Sequence, residues 1–149
     1  MKHKRLSIPI TYFIACLAIN AAFYLLLPRL NIIPLPIRIA GIFIIIAGSF
    51  VIAFSLYCLV KNRTAYDFLP SSTLVTGGIY AFSRNPMYIG FILFLLGLAL
   101  ASGNVVSLAS PIIFFLIVDS MFIPYEEEKM EKAFGHDYLE YKSMVKRWL

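Results

Sequence analysis

Long apolar blocks alternate with short polar breaks along this chain, at a spacing that suits membrane-spanning helices. Four blocks stand out: residues 7–27, closed by Pro28; residues 37–60, closed by Lys61; residues 86–102; and residues 105–123, closed by Pro124. Crossing a bilayer core of about 30 Å takes roughly 20 helical residues, so the pattern predicts four spans. The Ser102-Gly103-Asn104 break is so short that the last two spans must be antiparallel neighbours. After Pro124 the pattern becomes amphipathic. Residues 126–134 hold good helix formers and Gly135 suits a C-terminal cap. Tyr138, Tyr141, Val145 and Trp148 then recur as one aromatic and apolar stripe. A helix broken near Gly135 is expected, its second half lying in the membrane interface. The predicted fold is an all-α integral membrane domain over residues 1–149, with about four transmembrane helices, a C-terminal helical hairpin and amphipathic cytosolic tail helices.

Composition strengthens the membrane reading: 60% of the 149 residues are hydrophobic and 14% are charged, far from the makeup of a soluble domain. Only residues 61–85 and 125–149 can form an aqueous face, and each is too short for a core of its own. They are expected to fold against each other at the membrane surface. Lys2, Lys4 and Arg5 precede the first block, Lys61, Arg63 and Arg84 follow the second, and five further cations occupy the tail. The positive-inside rule puts all of these, and both termini, in the cytoplasm. The net charge of +5 is accounted for by topology and anionic lipid, with no nucleic-acid partner required. The first apolar run is longer than that of a cleaved signal, and an uncleaved first helix is expected. Cys16 and Cys58 fall inside apolar blocks and read as packing residues.

Gly41 and Gly48 lie seven apart on the second block, as Gly90 and Gly97 do on the third. Small residues at that spacing permit close helix approach.

Candidate chemistry concentrates at one boundary. In Thr76-Gly77-Gly78-Ile79-Tyr80, Gly78 allows positive φ or a close backbone approach. In Arg84-Asn85-Pro86-Met87-Tyr88, Pro86 suits the first helical position and Asn85 the cap before it. A helix start there favours a carboxylate or phosphate, to which Arg84 and Tyr88 could add a cation and a phenol. The same residues serve equally well as a cap and an anchor. Glu126, Glu127 and Glu128 follow Pro124 and complement a helix dipole. The antiparallel hairpin should bring Glu126 close to Asn85. Asp119, about two turns before Glu126, should share its face at the edge of the bilayer, where ionisable groups are often functional and also snorkel. His3 and His136 have no clustered cysteine or histidine, which argues against metal chemistry, and no GxSxG, Walker loop or GxGxxG occurs.

Taken together, Leu74-Val75-Thr76-Gly77-Gly78-Ile79-Tyr80, Arg84-Asn85-Pro86-Met87-Tyr88, Glu126-Glu127, the run from Phe134 to Tyr141, and Val145-Lys146-Arg147-Trp148 resemble a membrane methyltransferase superfamily. That superfamily includes isoprenylcysteine carboxyl methyltransferases and phospholipid N-methyltransferases, and the resemblance covers residues 72–149. It implies an S-adenosylmethionine site between the cytoplasmic ends of the last two spans and the tail. Ser72, Thr73, Leu74 and Val75 would line the adenosine side and Tyr80 would pack on it. Asn85, Pro86, Met87 and Tyr88 would hold its middle, and Glu126 its amino-acid portion. Arg84 and Glu127 would be the catalytic candidates. The implied acceptor is small and lipophilic or membrane-embedded, isoprenylcysteine carboxylate-like or phospholipid amine-like.

Asn85 stands where the eukaryotic carboxyl methyltransferases have histidine, which resembles the prokaryotic branch and a prokaryotic cytoplasmic membrane. Phe122 stands where those enzymes have an acceptor-contacting arginine, and this puts a prenylcysteine carboxylate in question. Two alternatives stay open: an NADPH-dependent membrane reductase of the sterol-reductase type, and a non-catalytic membrane subunit with the same fold.

Overall fold

The structure, a computed structural model, describes residues 9–61 and 73–149. The described residues are helices and turns, with no strand among them. Helix α1 (Pro9–Leu26) leads through a 3₁₀ turn at Pro28–Leu30 to α2 (Leu35–Lys61). A second 3₁₀ turn, Gly78–Ala81, precedes α3 (Pro86–Ser102). Three helical stretches, Pro9–Leu26, Leu35–Lys61 and Val105–Phe134, are long and apolar enough to cross a membrane. The chain is an integral membrane protein. The expected third span, α3, is apolar and shorter, with 17 residues, so at 1.5 Å per residue it reaches about 26 Å.

The last span corrects the sequence reading. Pro124 does not stop it: helix runs from Val105 to Phe134, through α4 (Ala109–Ile117), a π turn (Val118–Phe122) and α5 (Ile123–Phe134). Proline has no N–H, and its ring clashes with the carbonyl four residues back in a regular helix. The wider π turn immediately before it relieves that clash, and Pro124 sits in the first turn of α5. Thirty residues extend about 45 Å, more than a bilayer core, so the glutamate-bearing end stands beyond the apolar zone. Gly135, at φ 53°, then breaks the helix as expected, and α6 (His136–Met144) follows.

The glycines do what their spacing predicts. A β-carbon at Gly41 would lie 2.7 Å from the Gly97 carbonyl oxygen, and one at Gly48 would lie 2.8 Å from that of Gly90. The backbones of α2 and α3 therefore touch, and no larger residue fits in the seam. Elsewhere the core is aromatic. Phe13 of α1 lies 4.5 Å from Phe91 and 5.9 Å from Phe114, ring centre to ring centre, among fully buried Leu95 and Val118.

Far from the glutamates, Asn104 ties the fold together. Its amide donates to the Phe23 and Leu27 carbonyls and to Asn31 Oδ1, satisfying the open end of α1. Its Oδ1 accepts from the Val106 N–H at 3.0 Å. Nearby, Asn20 donates to Ser110 Oγ across buried helix surfaces. Such bonds hold helices together where burial of apolar surface cannot distinguish a neighbour from lipid.

Candidate active site

The site is assembled from the segment before α3, the far end of α5, and the tail. Gly78 adopts φ 64°, in the left-handed region, and a β-carbon there would lie 2.9 Å from Cys58 Sγ of α2. Only glycine turns the chain while keeping that contact. The turn delivers Tyr80, whose carbonyl accepts the Tyr141 hydroxyl at 2.6 Å. Burial pushes the Tyr80 phenol above its ordinary range, with the charges of Cys58, Tyr141 and Glu126 adding to the effect. Burial likewise pushes Tyr138 and Tyr141 up to about 12, so both remain protonated donors at neutral pH.

Pro86 takes the first turn of α3 as predicted, and is buried. Asn85 occupies the position before it, but its side chain does not cap the helix. Its amide donates instead to the Arg147 carbonyl at 3.0 Å, while its own N–H is taken by Ser83 Oγ at 3.1 Å. Glu126, expected close to Asn85, meets the first turn of α3 through Tyr88. The Tyr88 hydroxyl, one turn into α3, donates to Glu126 Oε1 at 2.8 Å.

The two carboxylates behave differently although adjacent. Glu127 is buried and receives Arg84 at 2.9 Å and Arg147 at 3.1 Å, with the Lys142 ammonium at 3.6 Å. Glu126 instead accepts the Tyr88 phenol, and the Lys129 charge acts on it. The catalytic candidates Arg84 and Glu127 are thus paired to each other. The Nε of Arg84 is buried without a hydrogen-bond partner among the described residues.

Of the residues expected on the adenosine side, Ser72 lies outside the described residues, as do residues 1–8 with the basic leader. Thr73 and Leu74 line a groove of about 590 Å³ together with Thr76, Phe134, Asp137, Glu140, Tyr141 and Met144. Val75 is buried. Met87 packs on the core cluster. Phe122 is fully buried and meets Tyr12 of α1 edge to face at 5.3 Å, so it is a core residue in this fold.

The tail departs from the expected interfacial helix. α6 ends at Met144, and Val145 is extended at φ −116°, ψ 129°. Tyr138 and Tyr141 turn inward and are buried. Residues 145–148 return across the site: the Lys146 carbonyl accepts the Arg84 N–H at 3.1 Å, and the Trp148 ring packs tilted against Phe115, centres 5.1 Å apart. Asp119 aligns with Glu127 rather than with Glu126. Both reach Arg147, Asp119 at 3.4 Å, and Asp119 also accepts Trp148 Nε1 at 3.0 Å. Sequence reading counted Arg147 among the tail cations, Trp148 in the stripe and both in the family motif, and none of these pointed to these bonds.

A profile described as phospholipid methyltransferase matches residues 37–137. The chain is 39% identical over 75 residues to a protein-S-isoprenylcysteine O-methyltransferase of Schizosaccharomyces pombe, covering 48% of this chain and 30% of that protein. It is 33% identical over 90 residues to the protein of the same name in Saccharomyces cerevisiae, covering 58% of this chain and 35% of that one. An uncharacterized protein of Haemophilus influenzae is 40% identical over 63 residues, all of its length and 42% of this chain. The chain spans about a third of the length of the named methyltransferases it matches. With the family profile running from α2 through the glutamates into α6, the chain belongs to the phospholipid methyltransferase family.

Proposed function

We propose that this protein is an S-adenosylmethionine-dependent methyltransferase acting on a small lipophilic or membrane-embedded acceptor, isoprenylcysteine carboxylate-like or phospholipid amine-like. The observation that carries this reading is the contrast between the adjacent glutamates. Glu127 is held by three cations, whereas Glu126 is bonded by the Tyr88 phenol and feels the Lys129 charge without an ion pair like those of Glu127, and so retains acceptor capacity for a ligand ammonium. The groove beside Thr73 and Leu74, bordered by Tyr141 and by the carboxylates of Asp137 and Glu140, suits a polar nucleoside.

When bound, S-adenosylmethionine supplies a methyl group activated on a sulfonium. Glu126 would bind the ammonium of its amino-acid portion, with Tyr88 fixing the carboxylate. Tyr80 would offer an aromatic face, which attracts a sulfonium. Asn85, Pro86 and Met87 would border the middle of the ligand, and Thr73 and Leu74 its adenosine side. Arg84 and Glu127, paired with each other, would position these segments. Methyl transfer needs no covalent enzyme intermediate, so orientation and exclusion of water are what these residues contribute.

Calorimetric titration of detergent-purified protein tests the reading. S-adenosylmethionine should bind, and Glu126→Gln should weaken it roughly tenfold to a hundredfold, the worth of one hydrogen bond to a charged group. Binding of NADPH in its place would overturn the assignment. Incubation with methyl-labelled S-adenosylmethionine and total membrane extract would identify the acceptor.

A further inference from the structure

The tail crosses the site as a strap, and its bonds divide between two anchors. On one side it holds three consecutive residues. The Arg147 carbonyl accepts from Ser83 Oγ at 3.2 Å and from Asn85 Nδ2 at 3.0 Å, and the Lys146 carbonyl accepts the Arg84 N–H at 3.1 Å. Ser83 is buried, so its hydroxyl finds its acceptor in the strap and not in water. On the other side stands one residue of the π turn. Asp119 Oδ1 accepts Trp148 Nε1 at 3.0 Å and lies 3.4 Å from Arg147 Nη1. Glu127 grips the same guanidinium through Nε and Nη2, at 3.2 and 3.1 Å.

These contacts are not redundant. Glu127 orients the guanidinium of Arg147 but does nothing for Trp148. Only Asp119, among the described residues, holds the indole N–H, and Phe115 holds the ring from the side. Release of Trp148 would free the end of the strap, and with it the Arg147 carbonyl on which Ser83 and Asn85 depend. A helical residue at the edge of the bilayer is thus linked, through two tail side chains, to the start of α3.

We propose that Asp119 is a positioning residue: through Trp148 and Arg147 it clamps the C-terminal strap onto Ser83, Arg84 and Asn85, and thereby sets the affinity for the methyl donor without touching it. The link to affinity rests on the proposed function; the clamp itself does not.

Trp148 is the only tryptophan in the chain, so its emission reports the clamp directly. The test compares full-length wild type, Asp119→Asn and Asp119→Ala in detergent, by tryptophan emission, acrylamide quenching and S-adenosylmethionine titration. Asp119→Ala should shift the emission to the red, raise quenching, and raise the dissociation constant roughly tenfold, the loss of one charge-assisted hydrogen bond. Asp119→Asn keeps an acceptor for the indole while losing the charge facing Arg147. It should retain wild-type emission and bind the donor a few-fold more weakly, and it decides the matter if the alanine variant does not fold. Unchanged emission in Asp119→Ala overturns the clamp. Shifted emission with unchanged affinity, or wild-type affinity in Asp119→Asn, overturns the positioning role. Absence of binding by the wild type would remove the proposed function, and the emission measurements would then decide the clamp alone.

Discussion

Tyr88 and Glu126, on neighbouring helices, are joined by a single hydrogen bond of 2.8 Å from phenol to carboxylate. The bond closes the site end of the hairpin as Asn104 closes the other. Tyr88→Phe keeps the buried ring and leaves the carboxylate without its donor. It should lower stability by about 1.5–3 kcal/mol, the range for a hydrogen bond to a charged group. Denaturant unfolding of the variant in a fixed detergent measures this, and a loss much under 1 kcal/mol would mean that water replaces the phenol at no cost.

Glu127 and Glu128 differ by one position and should differ sharply on substitution. Removing the Glu127 carboxylate leaves Arg84, Arg147 and Lys142 facing each other around a buried gap. Glu127→Ala should therefore cost about 3–5 kcal/mol, as when one partner of a buried ion pair is lost. Among the described residues Glu128 pairs with the exposed Lys132 one turn on, and Glu128→Ala should leave the melting temperature unchanged. Thermal unfolding of the two variants side by side checks the contrast.

The α2–α3 seam predicts intolerance of side chains where composition alone would suggest tolerance. Gly48→Val or Gly97→Val would force a β-carbon within 2.7 Å of backbone nitrogen, Phe94 N or Ile45 N respectively nearby. Either should destabilise by about 1–3 kcal/mol or more, because overpacking moves backbone as well as side chains. Gly77, whose added β-carbon would meet none of the described residues within 4 Å, should accept alanine with no such loss. Melting temperatures of the three variants provide the comparison.

Alkaline pH should weaken the fold through the tail. Burial raises Tyr138 and Tyr141 to about 12, against an ordinary phenol value near 10. Between these values the folded state holds protons that the unfolded state has released, so stability falls as pH rises. The contribution is fully present below about pH 10 and is lost progressively towards pH 12. Tyr138→Phe combined with Tyr141→Phe should flatten that slope, as read from unfolding midpoints over this range.

Much of this arrangement was legible from residue patterns because it rests on local rules. The seven-residue glycine spacing, the Pro86 start and the Gly135 break each follow from short-range chemistry, and each is found; apolar block length locates the helices and misplaces the end of the last one. The misplaced pairing of Asp119 has a clear cause, which is helical phase. A regular helix places residues seven apart on one face, and this pairs Asp119 with Glu126. The π turn accommodates an extra residue in that interval, and Asp119 pairs with Glu127 through Arg147. Three consecutive glutamates hide the shift, since a carboxylate falls in each slot whichever phase is assumed. The strap was hidden for a second reason. Its backbone bonds to Ser83, Arg84 and Asn85 bridge more than 60 positions of sequence, and no periodicity records a contact of that kind.

The unbroken helix from Val105 to Phe134 gives the protein an axle. Leu116, facing outward among the apolar residues, and Glu126, beside Tyr88, are carried on that one rod with no loop between them. The π turn at Val118–Phe122 lies between the two and sets their relative phase. Lipid-facing side chains and the carboxylate end of the candidate site thus share a single element.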